Sequence, residues 1–142
     1  QRLQADVTQL KQQLLAQSLA PEQLAAIVTR TMHSLADVRS NGEEERYSHS
    51  DLNGFAANLD GTRKVVDLLR PLLSKSAGQQ LENIDAAMAD LDTTLDALQT
   101  DAGGYRPYDQ VDAGQRKQIA EKAAALADAL NGIDAALGLS DL

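Results

Sequence analysis

Residues 81–98 read LENIDAAMADLDTTLDAL, and this stretch decides the fold. Its apolar side chains recur in three- and four-residue steps, the spacing that brings residues onto one face of an α-helix. They are Leu81, Ile84, Met88, Leu91, Leu95 and Leu98, and acidic residues occupy the outer face. Because a heptad stripe must be buried against other helices, the segment predicts a helical bundle or a coiled coil.

The rest of the chain carries the same periodicity, interrupted by residues that end helices. The predicted stripes are Leu3, Val7, Leu10 and Leu14; Leu24, Ile27, Val28, Met32, Leu35 and Val38; Leu52, Phe55, Leu59, Val66, Leu69 and Leu73; and, in the last helix, Ile119, Ala123, Leu126, Leu130, Ile133 and Leu137. The breaks lie at Pro21, Asn41-Gly42, Pro71 and Gly103-Gly104. They fold the chain back on itself, which favours an all-α, up-and-down antiparallel bundle of four to five helices over a long coiled coil.

The third helix has two competing start signals. It is expected to start between Glu43 and Ser50, where two capping boxes compete, one at Ser48 and one at Ser50. Pro71 is expected to kink or end it. Gly54 and Gly61 each cost about 1 kcal/mol relative to alanine inside a helix. We therefore expect another helix, or a ligand, to approach the backbone at these glycines.

The composition of the chain argues against several classes of function. The 142 residues suit one domain, residues 1–142, and the net charge of −8 without a basic stripe argues against nucleic acid as a partner. The absence of cysteine excludes disulfides and thiolate ligands. No segment reads as a membrane span or a signal peptide. The chain begins at Gln1 inside a helical pattern and without an initiator methionine, which indicates a processed product or a fragment.

The candidate site lies in residues 42–61, GEEERYSHSDLNGFAANLDG. If this segment is helical, Glu44 and Asp51 share a face with apolar residues of the core, with His49 near the edge of that face. A carboxylate on a core-facing stripe is costly unless it meets a cation or a donor. The segment therefore suggests a metal site, although acidic residues also cluster at ordinary helix N-termini.

Other candidate residues carry weaker signals. His33 is expected to be a partly buried helix histidine, and neither histidine has a partner at the spacing of HExxH. Tyr105 and Tyr108 could line a ligand cleft or simply pack over the end of the bundle. Arg116 and Lys117 are expected to be a solvated pair.

Residues 42–61, together with VVDLLRPLL at 65–73, resemble the GEE-[DE]-RYSH-[ST]-DL…FxAN-x-[DE]-G segment of the imelysin-like superfamily. The similarity is greatest to its EfeO/EfeM branch. Residues 108–110 and 114–117 are similar to the Y-x-x-L…ADRK-L segment of that family, with Val111 and Gly114-Gln115 as departures. The resemblance runs from about Leu24 to the C-terminus.

This resemblance implies an all-α bundle and a role as the extracytoplasmic, metal-binding component of a bacterial iron-uptake system. Its HxxE motif does not occur in this chain, so the resemblance implies that residues 1–142 are the C-terminal portion of a larger bundle domain. The implied metal ligands are Glu44, Asp51, His49 and Glu43, and the ligand-lining side chains are Tyr47, Tyr105 and Tyr108.

The same resemblance implies the cofactor and the partners. The metal is a divalent or trivalent ion, with iron favoured over zinc or copper. The partners are the missing N-terminal half of the domain and the permease and peroxidase components of the uptake system. A secreted or lipid-anchored precursor on the periplasmic or extracytoplasmic side is implied as well. Two alternatives stay open: an imelysin-type metallopeptidase, and a non-catalytic bundle that binds a polysaccharide or a protein.

Overall fold

The computed structural model describes residues 2–37 and 45–137, and every regular element within these ranges is a helix. A 3₁₀ turn at Tyr108–Gln110 and a single isolated bridge between Gln99 and Tyr105 shape the one long connection in this part. The α-helices are α1 at Arg2–Leu15, α2 at Pro21–Asp37, α3 at Asp51–Ser76, α4 at Gly78–Asp96, α5 at Ala113–Leu130 and the one-turn α6 at Ile133–Ala136.

Four of these helices close into a ring around the core. α2 packs against α3 and α5, and α4 packs against the same two helices. The stripe of residues 81–98 that predicted the fold lies at the centre, and all six of its apolar side chains are buried. The prediction of an all-α, up-and-down helical bundle is confirmed.

Most of the predicted core side chains are buried as expected. Every member of the stripe of α3 is buried, and so are Val28, Met32 and Leu35 of α2 and Ile119, Ala123, Leu126, Leu130 and Ile133 at the C-terminal end of the bundle. Ile27 departs from the prediction, because 41% of its surface is exposed. Val38 and the predicted break at Asn41-Gly42 lie outside the described residues.

α1 forms as predicted but does not join the ring. None of its residues is buried, and Leu3, Val7, Leu10 and Leu14 are all more than half exposed. The periodicity of residues 3–14 was therefore a correct indicator of helix. Within the described part of the chain, nothing covers the apolar face that this periodicity creates.

α3 starts at Asp51, one residue after the predicted interval, and neither predicted capping box forms. Ser50 is the N-cap residue but makes no side-chain capping bond, while the hydroxyl of Ser48 bonds to Glu45. Of the two effects predicted for Pro71, the end of the helix does not occur, since α3 continues past it to Ser76, and a kink stays a prediction. Pro71 is exposed and its neighbours Leu69 and Leu73 are buried, so core packing on both sides keeps the helix going despite the lost hydrogen bond.

The last predicted helix is divided in two. Its first part, α5, starts with a capping box in which Asp112 accepts from the backbone N–H of Gln115 and the Gln115 side chain accepts from that of Asp112. It ends before Gly132, whose φ of +101° lies in the left-handed region that favours glycine. The Gln80 side chain donates to the carbonyl of Ala129 at 2.6 Å and so satisfies one of the free carbonyls at this helix end.

Ion pairs join the outer edges of the ring. Arg70 of α3 makes two 2.8 Å hydrogen bonds to Asp85 of α4, and this guanidinium holds the pKa of the Asp85 carboxyl below its usual range. Lys122 of α5 contacts Asp90 of α4. These side chains are more than a third exposed, so the pairs contribute little to stability, and the buried stripes dominate.

The two helix-interior glycines of α3 provide a first test of this account. A methyl group added at Gly61 would meet no atom within 4 Å outside its own helix backbone, and the same holds at Gly54, so the described part of the chain shows no close approach there. Gly61→Ala is expected to raise the free energy of unfolding by about 1 kcal/mol in urea titrations, because only helix propensity changes. Gly132→Ala is the contrasting control and should lower it by about 1 kcal/mol, since its positive φ strains alanine. Destabilisation by Gly61→Ala would show that its backbone has a close neighbour.

Candidate metal-binding site at the start of α3

A tight turn leads into α3. Residues 45–48 form the turn, and the backbone N–H of His49 donates to the carbonyl of Glu45 at 2.7 Å. His49 has a φ of +53°, in the left-handed region that few residues other than glycine adopt. The turn reverses the chain and brings the backbone of Glu45 beside the first residue of α3.

That first residue, Asp51, carries the site. Its side chain is only 2% exposed, and its Oδ1 accepts a hydrogen bond of 3.3 Å from the backbone N–H of Glu45. Its Oδ2 is buried, and no group among residues 2–37 and 45–137 donates to it. A buried carboxylate oxygen without a donor is costly, so this position calls for a cation or another donor.

The polar groups of the turn bond to one another rather than to Asp51. The Ser48 hydroxyl donates to the Glu45 carboxylate at 2.9 Å, and the hydroxyls of Ser48 and Ser50 lie 2.9 Å apart. Glu45 and Ser48 are exposed, whereas Asp51 lies beneath them. The turn therefore covers Asp51 on one side through backbone contacts and leaves its second oxygen unsatisfied by these groups.

Tyr108 packs against the same end of the bundle. Its backbone N–H donates to the carbonyl of His49 at 2.8 Å, which ties the 3₁₀ turn to the turn before α3. Its ring meets the ring of Phe55 edge to face, with centroids 5.6 Å apart and an interplanar angle of 82°. Tyr108 is 1% exposed and packs at the end of the bundle, and its role as a ligand-lining side chain stays a prediction.

Arg116 holds Tyr108 in place. Its guanidinium lies 4.7 Å from the centre of the Tyr108 ring, within the range of a cation–π interaction. It also donates to the carbonyls of Tyr108 and Val111, each at 2.9 Å. These three contacts show that the prediction of a solvated Arg116 is wrong. The sequence did not reveal them, because Arg116 precedes the exposed Lys117 and its partners come from the folded 3₁₀ turn.

The surroundings of Tyr108 raise the pKa of its hydroxyl above the ordinary value. Burial is the largest cause, because it disfavours the charged phenolate, and the negative charge of Asp51 acts in the same direction. The positive charge of Arg116 opposes both. The hydroxyl therefore stays protonated at neutral pH.

The structure separates the predicted site residues by environment. Asp51 is buried, and His49, two residues before it, is half-buried. Tyr47 is 96% exposed, and Tyr105 is partly buried against the core. Tyr108 is brought to Asp51 and to the backbone of His49. Glu43 and Glu44 lie outside the described residues, so their positions relative to Asp51 stay a prediction.

No complete ligand set is formed by the described residues alone. Within residues 2–37 and 45–137, no group of three or more His, Asp or Glu side chains is arranged to hold a metal ion. His33 is exposed on α2, rather than partly buried as predicted. Sequence analysis did not identify Arg116 as a residue that packs at this end of the bundle. The one signal that pointed to it was its place in the segment that resembles ADRK-L.

No helix in the described ranges has both the length and the apolar character needed to cross a membrane.

The sequence matches known proteins over nearly all of its length. The family model described as Imelysin, under the model name Peptidase M75, matches residues 1–137. The chain is 32% identical over 139 residues to the iron uptake system component EfeM of Pseudomonas syringae pv. syringae (strain B728a), covering 98% of this chain and 49% of that protein. It is 33% identical over 139 residues to the iron uptake system component EfeO of Escherichia coli (strain K12) and to that of Shigella flexneri, covering 98% of this chain and 37% of each relative. The chain thus spans about half the length of the first relative and little more than a third of the other two.

Proposed function

Since the chain belongs to the imelysin family, we propose that it is the metal-binding bundle of an iron-uptake component of the EfeO/EfeM type. Iron is the cargo in this proposal, and the chain binds it without transforming it. The support comes from two independent sources. The relatives are named as iron uptake system components, and the bundle buries a carboxylate oxygen that no described group satisfies.

The buried oxygen of Asp51 is the observation that carries the proposal. A carboxylate removed from water loses the free energy of its hydration. A metal ion compensates for that loss more fully than a single neutral donor does. Ferric and ferrous ions accept carboxylate oxygen and imidazole nitrogen as ligands. Asp51 is therefore the proposed first ligand, with His49, Glu43 and Glu44 as further ligands or as groups that orient the ligands.

Additional ligands in this proposal come from outside the chain. The resemblance implies a His and a Glu spaced as HxxE in an N-terminal half of the same domain, and these would complete the set that Asp51 begins. We also propose that the protein works on the periplasmic or extracytoplasmic side, where it passes iron to permease and peroxidase components. Zinc or copper would also fit imidazole and carboxylate donors, since affinity alone does not select Fe²⁺ over these ions.

The proposal is tested by replacing Asp51 with asparagine. Asp51→Asn keeps the shape of the side chain but removes its charge, so the dissociation constant for Fe²⁺, measured by anaerobic calorimetry, should rise at least about tenfold, or 1.4 kcal/mol. The melting temperature without metal should stay the same or increase, because a buried and incompletely paired carboxylate has been removed. The increase in melting temperature that Fe²⁺ or the redox-inert Zn²⁺ produces should shrink accordingly.

Asp109→Asn is the matched control. Asp109 lies next to Tyr108 at the same end of the bundle but is exposed, so its replacement should leave metal affinity unchanged. Equal affinities for wild type and Asp51→Asn would remove Asp51 from the ligand set. The measurements use the protein with both halves of the domain, and a wild-type protein whose melting temperature responds to neither metal would contradict the proposal that Asp51 belongs to a metal site.

Binding without catalysis is the second part of the proposal. Hydrolysis of a peptide by a metal site requires a bound water, an open coordination position and a base. Among the side chains whose burial the structure describes, Asp51 is the single buried carboxylate. We expect denatured casein to stay intact in the presence of the Zn²⁺- or Fe²⁺-loaded chain. Cleavage that EDTA abolishes would instead favour the metallopeptidase that the family model's name suggests.

A further inference from the structure

Arg116 lies at the end of the bundle where Asp51 is buried, but the metal site proposed above gives it no role. Its side chain is half-buried, and its two hydrogen bonds of 2.9 Å go to the carbonyls of Tyr108 and Val111. Neither carbonyl is a ligand in that proposal. Arg116 can therefore orient the site only through the backbone of the 3₁₀ turn.

A continuous path of hydrogen bonds leads from that backbone to Asp51. The N–H of Tyr108 donates to the carbonyl of His49 at 2.8 Å, and the N–H of His49 donates to the carbonyl of Glu45 at 2.7 Å. The N–H of Glu45 then donates to Oδ1 of Asp51 at 3.3 Å. We call these three bonds, together with the bond from Arg116 to the Tyr108 carbonyl, the Arg116–Asp51 path. Because each residue along it accepts one bond and donates the next, the path runs unbroken from α5 to α3.

The turn in the middle of the path has a costly conformation. His49 adopts a φ of +53°, which residues other than glycine keep only where the surrounding structure holds them. Its backbone is held on two sides, by Glu45 through the N–H and by Tyr108 through the carbonyl. Tyr108 is in turn held by Arg116, whose guanidinium lies 4.7 Å from the centre of the ring. The conformation of the turn therefore depends on a contact from α5.

We propose that Arg116 is a positioning residue for the metal site. It holds the turn before α3 through the Arg116–Asp51 path, keeps Oδ1 of Asp51 bonded to Glu45 and so leaves Oδ2 as the oxygen that binds the cation. This inference rests on the metal site proposed above. Removing a group that orients a metal ligand through hydrogen bonds typically lowers metal affinity by about 10- to 100-fold. We expect the lower end of this range, because Arg116 acts through several bonds.

The charge of Arg116 and its hydrogen bonds have opposite effects on a bound cation. A positive charge near the site repels the cation, so loss of the charge alone should raise metal affinity. Loss of the hydrogen bonds should lower it, because the turn no longer holds Asp51. Arg116→Met removes both, whereas Arg116→Lys keeps the charge but cannot reproduce both bonds. The direction of the change therefore distinguishes positioning from a simple effect of charge.

The affinity for Fe²⁺ of the protein with both halves of the domain, measured by anaerobic calorimetry, tests the proposal. Arg116→Met should raise the dissociation constant about tenfold, and Arg116→Lys about threefold. Circular dichroism confirms that each variant folds, and Arg116→Lys carries the comparison if Arg116→Met does not fold. A dissociation constant that is unchanged or lower than that of wild type overturns the proposal.

Leu126→Ala is the matched control for stability. Leu126 is fully buried further along α5, so its replacement should destabilise the bundle to a similar extent and leave the dissociation constant within about twofold of wild type. An equal rise in Leu126→Ala and Arg116→Met overturns the proposal, because lost stability would then explain both.

A double variant tests whether Arg116 acts through Asp51. In the Asp51→Asn background, Arg116→Met should weaken binding by less than about twofold further, because the carboxylate that the path holds is already absent. Equal losses in both backgrounds overturn the path as the route. If Asp51→Asn alone leaves the Fe²⁺ affinity unchanged, the proposed metal site itself fails.

Amide hydrogen exchange without metal tests the path separately from the metal site. The amides of Glu45, His49 and Tyr108 donate along the path, and local opening of the turn exposes them. Arg116→Met should speed their exchange at least about tenfold, whereas Leu126→Ala should leave it within about threefold of wild type. Unchanged exchange in Arg116→Met overturns the proposal even where metal affinity falls. Faster exchange, together with a metal affinity that Asp51→Asn does not change, would support the path and contradict the metal site.

Discussion

Replacing Phe55 with alanine is expected to lower the free energy of unfolding by about 3–5 kcal/mol. Phe55 is the chain's only phenylalanine, it is 1% exposed, and its ring meets Tyr108 edge to face. Removing it loses the transfer free energy of the ring, leaves a cavity at the end of the bundle and removes an aromatic contact worth about 0.5–1.5 kcal/mol. Urea unfolding followed by circular dichroism at 222 nm measures the loss, because the chain contains no tryptophan.

Leu68→Ala on the same helix is the control for Phe55→Ala. Leu68 is 68% exposed, so its replacement should change the free energy of unfolding by no more than about 0.5 kcal/mol. A loss below about 2 kcal/mol for Phe55→Ala would mean that the end of the bundle collapses to fill the space. In the same variant, Tyr108 would lose its ring contact, and we expect the affinity of the Asp51 site for metal to fall as well.

Replacing Arg116 with methionine is expected to cost about 2–4 kcal/mol of unfolding free energy. Methionine keeps the length and the apolar stem of arginine but leaves the carbonyls of Tyr108 and Val111 without their charged donor and the Tyr108 ring without its cation. A hydrogen bond to a charged group contributes about 1.5–3 kcal/mol, and a cation–π contact about 0.5–2 kcal/mol. The variant should therefore unfold at a clearly lower urea concentration than wild type.

Lys117→Met provides the matched comparison for Arg116→Met. Lys117 is the next residue along α5, and its ion pair with Glu121 is exposed at both ends, so its replacement should cost less than about 0.5 kcal/mol. Arg116→Lys should fall between the two, because a compact ammonium does not reach both carbonyls and stack on the ring at once. Equal stabilities of Arg116→Met and Lys117→Met would show that the contacts of Arg116 add nothing to the fold.

Most of the bundle was predictable because burial in helices follows a repeating pattern. The steps of three and four residues in α3, α4 and α5 identified the side chains that the structure buries. Predictions that used only the nearest residues in the sequence were less successful. Pro71 was expected to kink or end α3, and it does not end it, because one buried leucine on each side outweighs one missing hydrogen bond. The capping boxes predicted at Ser48 and Ser50 do not form, because the turn before α3 places these two hydroxyls in a hydrogen bond with each other.

The site was predictable only in part. A carboxylate at position 51 on a core-facing stripe could be recognised from the sequence, and the structure does bury Asp51. The side chains that pack at the same end of the bundle could not be recognised, because Tyr108 and Arg116 lie 57 and 65 residues further along the chain. Only the closing of the ring of helices brings the 3₁₀ turn and the start of α5 to the start of α3.

The sequence by itself determined that this chain is a helical bundle, which faces most of its helices bury and which family it resembles. These properties depend on periodicity and on short motifs, and both are local in the chain. The tertiary structure decided that, in the described part of the chain, the apolar face of α1 stays outside the ring, that Arg116 contacts Tyr108, and that one oxygen of Asp51 is buried without a donor from the described residues. Each of these features depends on contacts between segments that are distant in the sequence. Such contacts are determined by the free energy of burying the whole core, and no single motif specifies them.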